Sequence, residues 1–261
     1  YKGEILPSDE NAIGVVGTRK ITGYGKVVTE QFTRGLVNAG LTIVSGLARG
    51  VDSIAHETAV LQNGRTIAVL GGGLNNIFPF ENTKLAEKIA SGFGAVISEF
   101  PPSYPSLPGN FPSRNRIISG LSKAVLVTEA AEDSGSLITA RVAVEQGRDV
   151  FAVPGPITSY LSKGPIDLIK TGARAVSDPQ EILDELGINN RVQGLGSRVW
   201  DEGQLSEEEK KILEVLENET MHLDEIGRKL NYPSSKVSSL LLQMEISGKI
   251  VSLGSGNYCK G

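Results

Sequence analysis

The sequence predicts an α/β protein built on a doubly wound parallel sheet, with a second, smaller unit at its C-terminal end. Three observations predict it. Six short apolar, β-branched runs alternate with stretches of helical spacing through the first 187 residues. Strands buried on both faces read as such uninterrupted runs, and their alternation with helices gives a parallel sheet covered on both sides. Residues 188–204 then lose all periodicity, with Asn189, Asn190, Gly194, Gly196 and Ser197 among them. Beyond them come three helical patterns and one hairpin pattern.

Ala12 to Val16 is the first strand. It turns at Gly17-Thr-Arg-Lys20 into a helix over Gly23 to Asn38, closed by Gly40. Leu41 to Val44 is the second strand. Ser45-Gly-Leu-Ala-Arg-Gly-Val-Asp52 turns it into a helix whose apolar spacing runs through Ile54, Ala55, Ala59 and Leu61. Thr66 to Leu70 is the third strand, ending in Gly71-Gly-Gly73, and Asn82 to Ala90 is helical. Gly94 to Ser98 is the fourth strand. Pro101, Pro102, Pro105, Pro108 and Pro112 make Glu99 to Pro112 a long loop, because proline fixes φ and lacks a donor. A helix from Ser113 to Lys123 carries Arg114, Asn115 and Arg116. Ala124 to Thr128 is the fifth strand, and Ser134-Gly-Ser136 opens a helix over Leu137 to Gln146. Asp149 to Val153 is the sixth strand, ending in Pro154-Gly155, and short helices at 165–171 and 179–186 finish the unit.

In the small unit Ser206 caps a helix to Asn218, with Glu209 at the capping-box spacing. His222 to Leu230 is a second helix, and Pro233-Ser-Ser opens a third, to Ser247. Lys249 to Leu253 and Asn257 to Cys259 pair across Gly254-Ser-Gly256 as a hairpin. The expected organisation is a doubly wound parallel-sheet domain at 1–187, a linker at 188–204 and a winged helix-turn-helix at 205–261.

Composition narrows the function. A net charge of −4 gives no bulk steering toward polyanions, so any such site is a local cluster. Aromatics at 5% leave few stacking platforms, and base stacking is expected to contribute little. A single cysteine, Cys259, excludes an internal disulfide framework and a cysteine metal cluster. No apolar run reaches the roughly 18 residues of a membrane span, so a cytoplasmic protein is expected. The sequence starts at Tyr1 rather than methionine, and an upstream segment is expected. Nucleotide signatures are missing: there is no G-x-x-x-x-G-K-[ST], and no G-x-G-x-x-G follows the first strand. No cofactor and no metal site are expected.

In an open parallel sheet ligands bind beyond the carboxyl ends of the strands. Gly17, Arg19, Ser45, Gly46, Arg49, Gly71 to Gly73, Glu99, Glu129, Ser134 to Ser136 and Pro154 all fall there. Gly46 and Gly50 are expected to admit a ligand close to the backbone. The helix start after them suits a phosphate, Arg49 adds forked donors, and Asp52 is placed to cap that helix. The bland alternative is a tight turn with a solvated arginine. Arg19, Lys20, Arg49, Arg114 and Arg116 on one edge form a cation patch whose length fits a polymer of phosphates better than one nucleotide. Asp52 and His56 share a helix face; with Ser45 or Ser136 they allow a Ser/His/Asp arrangement, but a helix-surface pair holding the turn is the simpler reading. Glu129, Glu132 and Asp133 are expected to cap the helix after Ser134. His222 reads as a surface residue. Residues 205–261 hold seven Lys/Arg against nine acids, with Lys236 alone on the presumed recognition helix, which favours a protein contact over duplex reading. The sixth strand and the helix with Ile182, Leu183 and Leu186 are expected to form a two-fold dimer edge.

Several motifs together resemble the DprA/Smf family, the DNA-processing proteins of natural transformation. They are Gly14-Val-Val-Gly-Thr-Arg19, the 45–52 turn with His56, Val69-Leu-Gly-Gly-Gly73, Ser98-Glu-Phe-Pro101, and Phe111-Pro112 with Arg114-Asn-Arg-Ile-Ile118. Glu129-Ala130, Ser134-Gly-Ser-Leu137 with Thr139-Ala140, and Val153-Pro-Gly155 complete the set. They span about 12–187, and the tail is similar to the winged helix many members carry. The helical N-terminal domain of many members is not within these residues. The resemblance implies an extended Rossmann-like domain that binds and protects single-stranded DNA and helps load the RecA recombinase, in a non-catalytic homodimer. It places DNA contact on Arg49 with its Gly46/Gly50 turn, on Arg114 and Arg116, and on Ser134-Gly-Ser136. The candidate contacts are therefore Gly17, Arg19, Ser45, Gly46, Arg49, Gly50, Arg114, Asn115, Arg116, Ser134, Gly135 and Ser136. A second resemblance, to lysine-decarboxylase-like nucleoside monophosphate phosphoribohydrolases, implies an enzyme. Asp133-Ser-Gly-Ser-Leu-Ile-Thr-Ala140 lacks the catalytic Glu of their P-G-G-x-G-T-x-x-E turn, which counts against hydrolysis.

Overall fold

A computed structural model describes residues 1–188, 206–216, 220–246, 249–254 and 256–260. It divides into two compact units, Tyr1–Leu195 and Gly196–Gly261. The expected linker, 188–204, lies outside the described residues apart from Ile188.

The large unit holds β1 (Lys2–Gly3), β2 (Ala12–Val16), α1 (Gly23–Asn38), β3 (Thr42–Ser45), α2 (Val51–Leu61), β4 (Thr66–Val69), α3 (Thr83–Lys88) and β5 (Gly94–Ile97). α4 (Asn110–Leu121), β6 (Ala124–Val127), α5 (Gly135–Glu145), β7 (Asp149–Ala152), α6 (Lys163–Lys170), β8 (Arg174–Ala175) and α7 (Pro179–Glu185) follow. The sheet order is β1-β5-β4-β3-β2-β6-β7-β8. All neighbours run parallel except β1, which pairs antiparallel with β5. The chain steps outward from β2 to β5, then returns to the other side of β2 with β6.

The apolar runs are uninterrupted because both faces of the sheet are covered. Ile13, Val15, Ile43, Leu126 and Phe151 pack with Val28, Phe32 and Leu36 of α1 and Ala55 and Ala59 of α2. Their chain neighbours Ala12, Val16, Val44, Val125 and Val127 point the other way, onto Ile118 of α4 and Leu137, Ala140 and Ala143 of α5. This is the period of two that a pleated strand imposes.

The six long strands and the helices stand where the sequence puts them, within a few residues. Two short edge strands, β1 and β8, were not expected, since two residues carry no periodicity. α4 begins at Asn110, inside the expected proline loop. Pro112 sits in its first turn, where the N–H it lacks has no intrahelical partner anyway. The expected dimer edge is not available as drawn. β8 covers β7, and Ile182 and Leu183 are fully buried in the core beside α1.

An ion pair ties the N-terminal segment to the sheet. Asp9 accepts from Arg65 Nε at 2.6 Å and Nη2 at 2.7 Å, from Thr42 Oγ1 at 2.8 Å and from Leu6 N at 2.8 Å. Burial pushes the Asp9 carboxyl up, but Arg65 and the other donors outweigh it and hold it below its ordinary 3.8. A carboxyl depressed in the folded state adds stability above its ordinary pKa and loses it as pH falls through the folded value. Arg65→Met is therefore expected to lower stability by about 2 kcal/mol at pH 7, the scale of hydrogen bonds to a charged group. Urea melts of parent and variant should converge as pH drops below 3.8.

The small unit has α8 (Glu207–Val215), β9 (Met221–His222), α9 (Leu223–Leu230), α10 (Ser234–Ile246), β10 (Ile250–Gly254) and β11 (Asn257–Lys260). Ser206 and Glu209 form the expected capping box. His222 is half-exposed and caps α9, accepting from Asp224 N at 3.3 Å. β9 adds an unexpected third strand beside β11. Ile212, Leu213, Met221, Ile226, Val237, Leu241, Met244 and Ile250 form its core.

Candidate functional site

The chain direction reverses across the sheet between β2 and β6, which opens a crevice beyond their carboxyl ends. A cleft of about 910 Å³ lies there. Gly17, Arg19 and Lys20 form one wall, Arg114 and Asn115 of α4 the floor side, and Ser134, Gly135 and Ser136 at the start of α5 another wall. Phe78 and Phe111 flank it, and Ala48 and Asp52 border it from the 45–52 turn. Ser45, Gly46, Arg49, Gly50 and Arg116 are not among its lining residues.

Three helix starts meet at this edge, and two are closed by the protein's own oxygens. At α1 the buried Glu129 carboxylate accepts from Thr22 N at 3.0 Å and Thr22 Oγ1 at 2.6 Å, while Thr22 caps Gly25 N. Glu129 was expected to cap the helix after Ser134; it serves the first helix instead. It stands where a dinucleotide-binding sheet places its pyrophosphate. At α2, Val51 N donates to Thr18 O at 3.1 Å. α5 carries only a local cap: Ser134 Oγ takes Ser136 N at 3.4 Å and meets Ser136 Oγ at 2.8 Å. Leu137 N donates to Ser134 O at 3.0 Å, so the first turn offers the cleft the Gly135 amide and its positive dipole end.

The 45–52 turn is built differently from the sequence expectation. Three of its amides, those of Gly46, Ala48 and Val51, are taken by the protein's own oxygens. Gly46 N and Ala48 N donate to Asp52 Oδ2 at 3.1 and 3.3 Å, so Asp52 pins the turn rather than capping the helix. The space that a Cβ on Gly46 needs is filled by the Arg114 guanidinium. Gly50, at φ +75°, lies against the Thr18 and Arg19 backbone. Both glycines admit the protein's own groups. Ser45 is buried and donates to Val15 O at 2.6 Å.

The cations fall into three kinds. Arg114 is buried and donates from Nη1 to Val69 O. Burial lowers its guanidinium to about 10, against the pull of Asp52 and helped by Arg19. Arg19 and Lys20 are exposed on the cleft wall, with Arg19 5.5 Å from the Phe111 ring centre. Arg49 and Arg116 are exposed outside the cleft, each held by a carboxylate: Arg49 by Glu81 through Nε and Nη2, Arg116 by Glu99. Glu81 and Glu99 are the partners that sequence spacing missed, because they lie 32 and 17 residues away.

The Asp52–His56 pair is not on a helix surface. Both are buried. Thr66 Oγ1 gives its proton to Ile43 O at 2.8 Å and so accepts from His56 Nδ1 at 2.7 Å. Burial, with Arg114 nearby, drops His56 to about 3 despite the Ser45 backbone, so the ring is neutral. Burial raises Asp52, with Arg114 and the turn amides opposing it. Ser45, Asp52 and His56 have the placement of a packed polar core rather than of a nucleophile with its base. Among the described residues no group of His, Cys, Asp and Glu is arranged to hold a metal, and no helix is long and apolar enough to cross a membrane.

Residues 1–187 match the family model for DNA recombination-mediator protein A, and 201–256 match the DprA winged helix domain. Protein Smf of Escherichia coli is 42% identical over 98% of this chain and 69% of its own length. The DNA processing protein DprA of Bacillus subtilis is 46% identical over 72% of this chain and 64% of its own. The chain thus spans about two thirds of the length of these curated relatives. Among solved structures, DprA of Streptococcus pneumoniae superposes with a TM-score of 0.66 at 43% identity, covering 70% of this chain and 64% of that one. DNA processing protein A of Helicobacter pylori, described for its single-stranded DNA binding mode, gives 0.65 at 30% identity, covering 73% of this chain and 86% of that one. With both of its units matched in order and the glycine, arginine and serine turns in place at the sheet edge, the chain belongs to the DNA recombination-mediator protein A family, the DprA/Smf proteins.

Proposed function

We propose that residues 1–187 bind single-stranded DNA along the carboxyl edge of the sheet and that the protein is a recombination mediator without catalytic activity. In this reading it is a cytoplasmic homodimer that protects incoming strands in natural transformation and helps load RecA, as the family resemblance implies. One observation carries the reading: exposed Arg19 and Lys20 line an open cleft with an open helix start, and exposed Arg49 sits on the turn packed against the Arg19 backbone, in a chain of net charge −4. Phosphates of a flexible strand match such a row, whereas a stiff duplex cannot follow it. The filled α1 start and the neutral, buried His56 weigh against a nucleotide-cleaving enzyme.

Affinity for oligo-dT is expected to fall with salt at a slope of about −0.7 per phosphate contacted. Filter binding with duplex competitor tests this: duplex competing as well as single strand contradicts it. Incubation with nucleoside monophosphates is expected to release no base; release supports the phosphoribohydrolase reading.

The small unit, proposed as residues 205–261, reads as a protein-contact module. Lys236 on α10 is held by Glu208 and sits 4.6 Å from the Tyr232 ring centre, so its charge is already engaged. A chain ending at Gly187 is expected to keep single-strand affinity within about tenfold, ~1.4 kcal/mol. A larger loss by anisotropy makes the winged helix a main DNA contact.

A further inference from the structure

Two phenylalanines stand in water at the same edge. Phe80 is 83% exposed and Phe78 53% exposed. Exposed ring area is unfavourable without a partner. The segment that carries them is not loose. Buried Asn82 donates from Nδ2 to Leu47 O and to Ser53 Oγ, both at 2.8 Å. That fastens the segment to the turn bearing Arg49, and Glu81, next to Phe80, is the residue that holds Arg49. On its other side Phe78 borders the cleft and meets Phe111, ring centres 5.8 Å apart at 41°, with Arg19 lying 5.5 Å from the Phe111 ring centre. The Phe78, Phe80 and Phe111 rings and the Arg19 and Arg49 guanidinium groups therefore share one short stretch of edge.

We infer that Phe78 and Phe80 are a base-stacking platform: they take unpaired bases of a strand whose phosphates lie on Arg49 and Arg19. The inference rests on the single-strand reading above and adds to it the part of the ligand that the platform holds. Bases fit the rings better than an apolar partner surface does, because Arg19 lies on the Phe111 ring that Phe78 meets, Arg49 is held by the residue next to Phe80, and a single strand offers π-faces and phosphates in turn. A duplex keeps those faces stacked internally. The low aromatic content of the sequence pointed to weak stacking; what matters is that these rings are concentrated at the edge.

The test uses the full chain with two fluorescent oligonucleotides of equal length, oligo-dT and an abasic strand with the same phosphates. Phe80→Ala and Phe78→Ala are expected to weaken oligo-dT binding by about 5- to 100-fold each and to leave abasic binding unchanged. Phe80→Trp is expected to retain affinity, and its added emission, over that of Trp200, to quench with oligo-dT alone. An alanine variant that binds oligo-dT like the parent overturns the platform and leaves the single-strand reading intact. So does equal loss on both strands, which marks a backbone or structural role. A drop in assembly mass in the alanine variants by light scattering assigns the rings to a second copy of the chain and also overturns it. Failure of the parent to bind either strand overturns the single-strand reading itself.

Discussion

Arg49→Glu abolishes most single-strand binding while the protein stays folded. The side chain is exposed and its one strong partner, Glu81, is exposed as well. Losing such a pair changes stability little, because solvent screens it and two long side chains regain freedom. Binding responds differently. The variant removes a forked phosphate donor and sets two carboxylates side by side where a phosphate must pass. We expect affinity for oligo-dT to fall by more than tenfold and the salt slope to lose about 0.7, one contact. The companion change has the opposite sign. Glu81 competes with DNA for Arg49, so Glu81→Gln should tighten binding. Filter binding over a salt series, with a thermal melt as control, checks both. Arg49→Glu binding like the parent while folded removes this turn from the interface.

Arg114→Ala acts mainly on the fold. From the sequence Arg114 is expected to be a phosphate contact whose removal lowers affinity and salt slope and leaves the fold intact. The structure buries its guanidinium under Gly46, on Val69 O, near the buried Asp52. Its loss leaves a void under the turn and an uncompensated buried carboxylate, on the order of 3 kcal/mol. For a unit of this size that lowers the melting midpoint by on the order of 10 °C. Asp52→Asn in the same chain should restore part of it, because it neutralises the stranded charge. The coupling in that double-mutant cycle is the readout. Additive effects contradict an electrostatic link between the two residues. A midpoint unchanged in Arg114→Ala contradicts the buried role altogether.

The frame of the fold was legible because it rests on periodicity. Strands such as Ala12–Val16 and helices such as Gly23–Asn38 have the same bounds in sequence and structure. What was not legible rests on contacts distant in sequence. β1, β8 and β9 are two residues long and exist through their partners. At the candidate site the turns were legible, since glycine, serine and arginine at strand ends are local signals. Their directions were not. Nothing local shows that Arg114 points inward, that Asp52 turns back on Gly46 and Ala48, or that Glu129 reaches Thr22, 107 residues away. The rings of Phe78 and Phe80 were missed for the same reason: composition counts aromatics without saying where they gather.

The most direct test of the carboxyl-edge interface is a crystal structure of the chain with a short oligo-dT. The strand should run along the carboxyl ends of the sheet. Its phosphates should lie on Arg49 and on the amide of Gly135, with bases against Phe78 and Phe80. A strand seated on α10 of the winged helix, or at the opposite edge beside Asp9 and Arg65, contradicts the account.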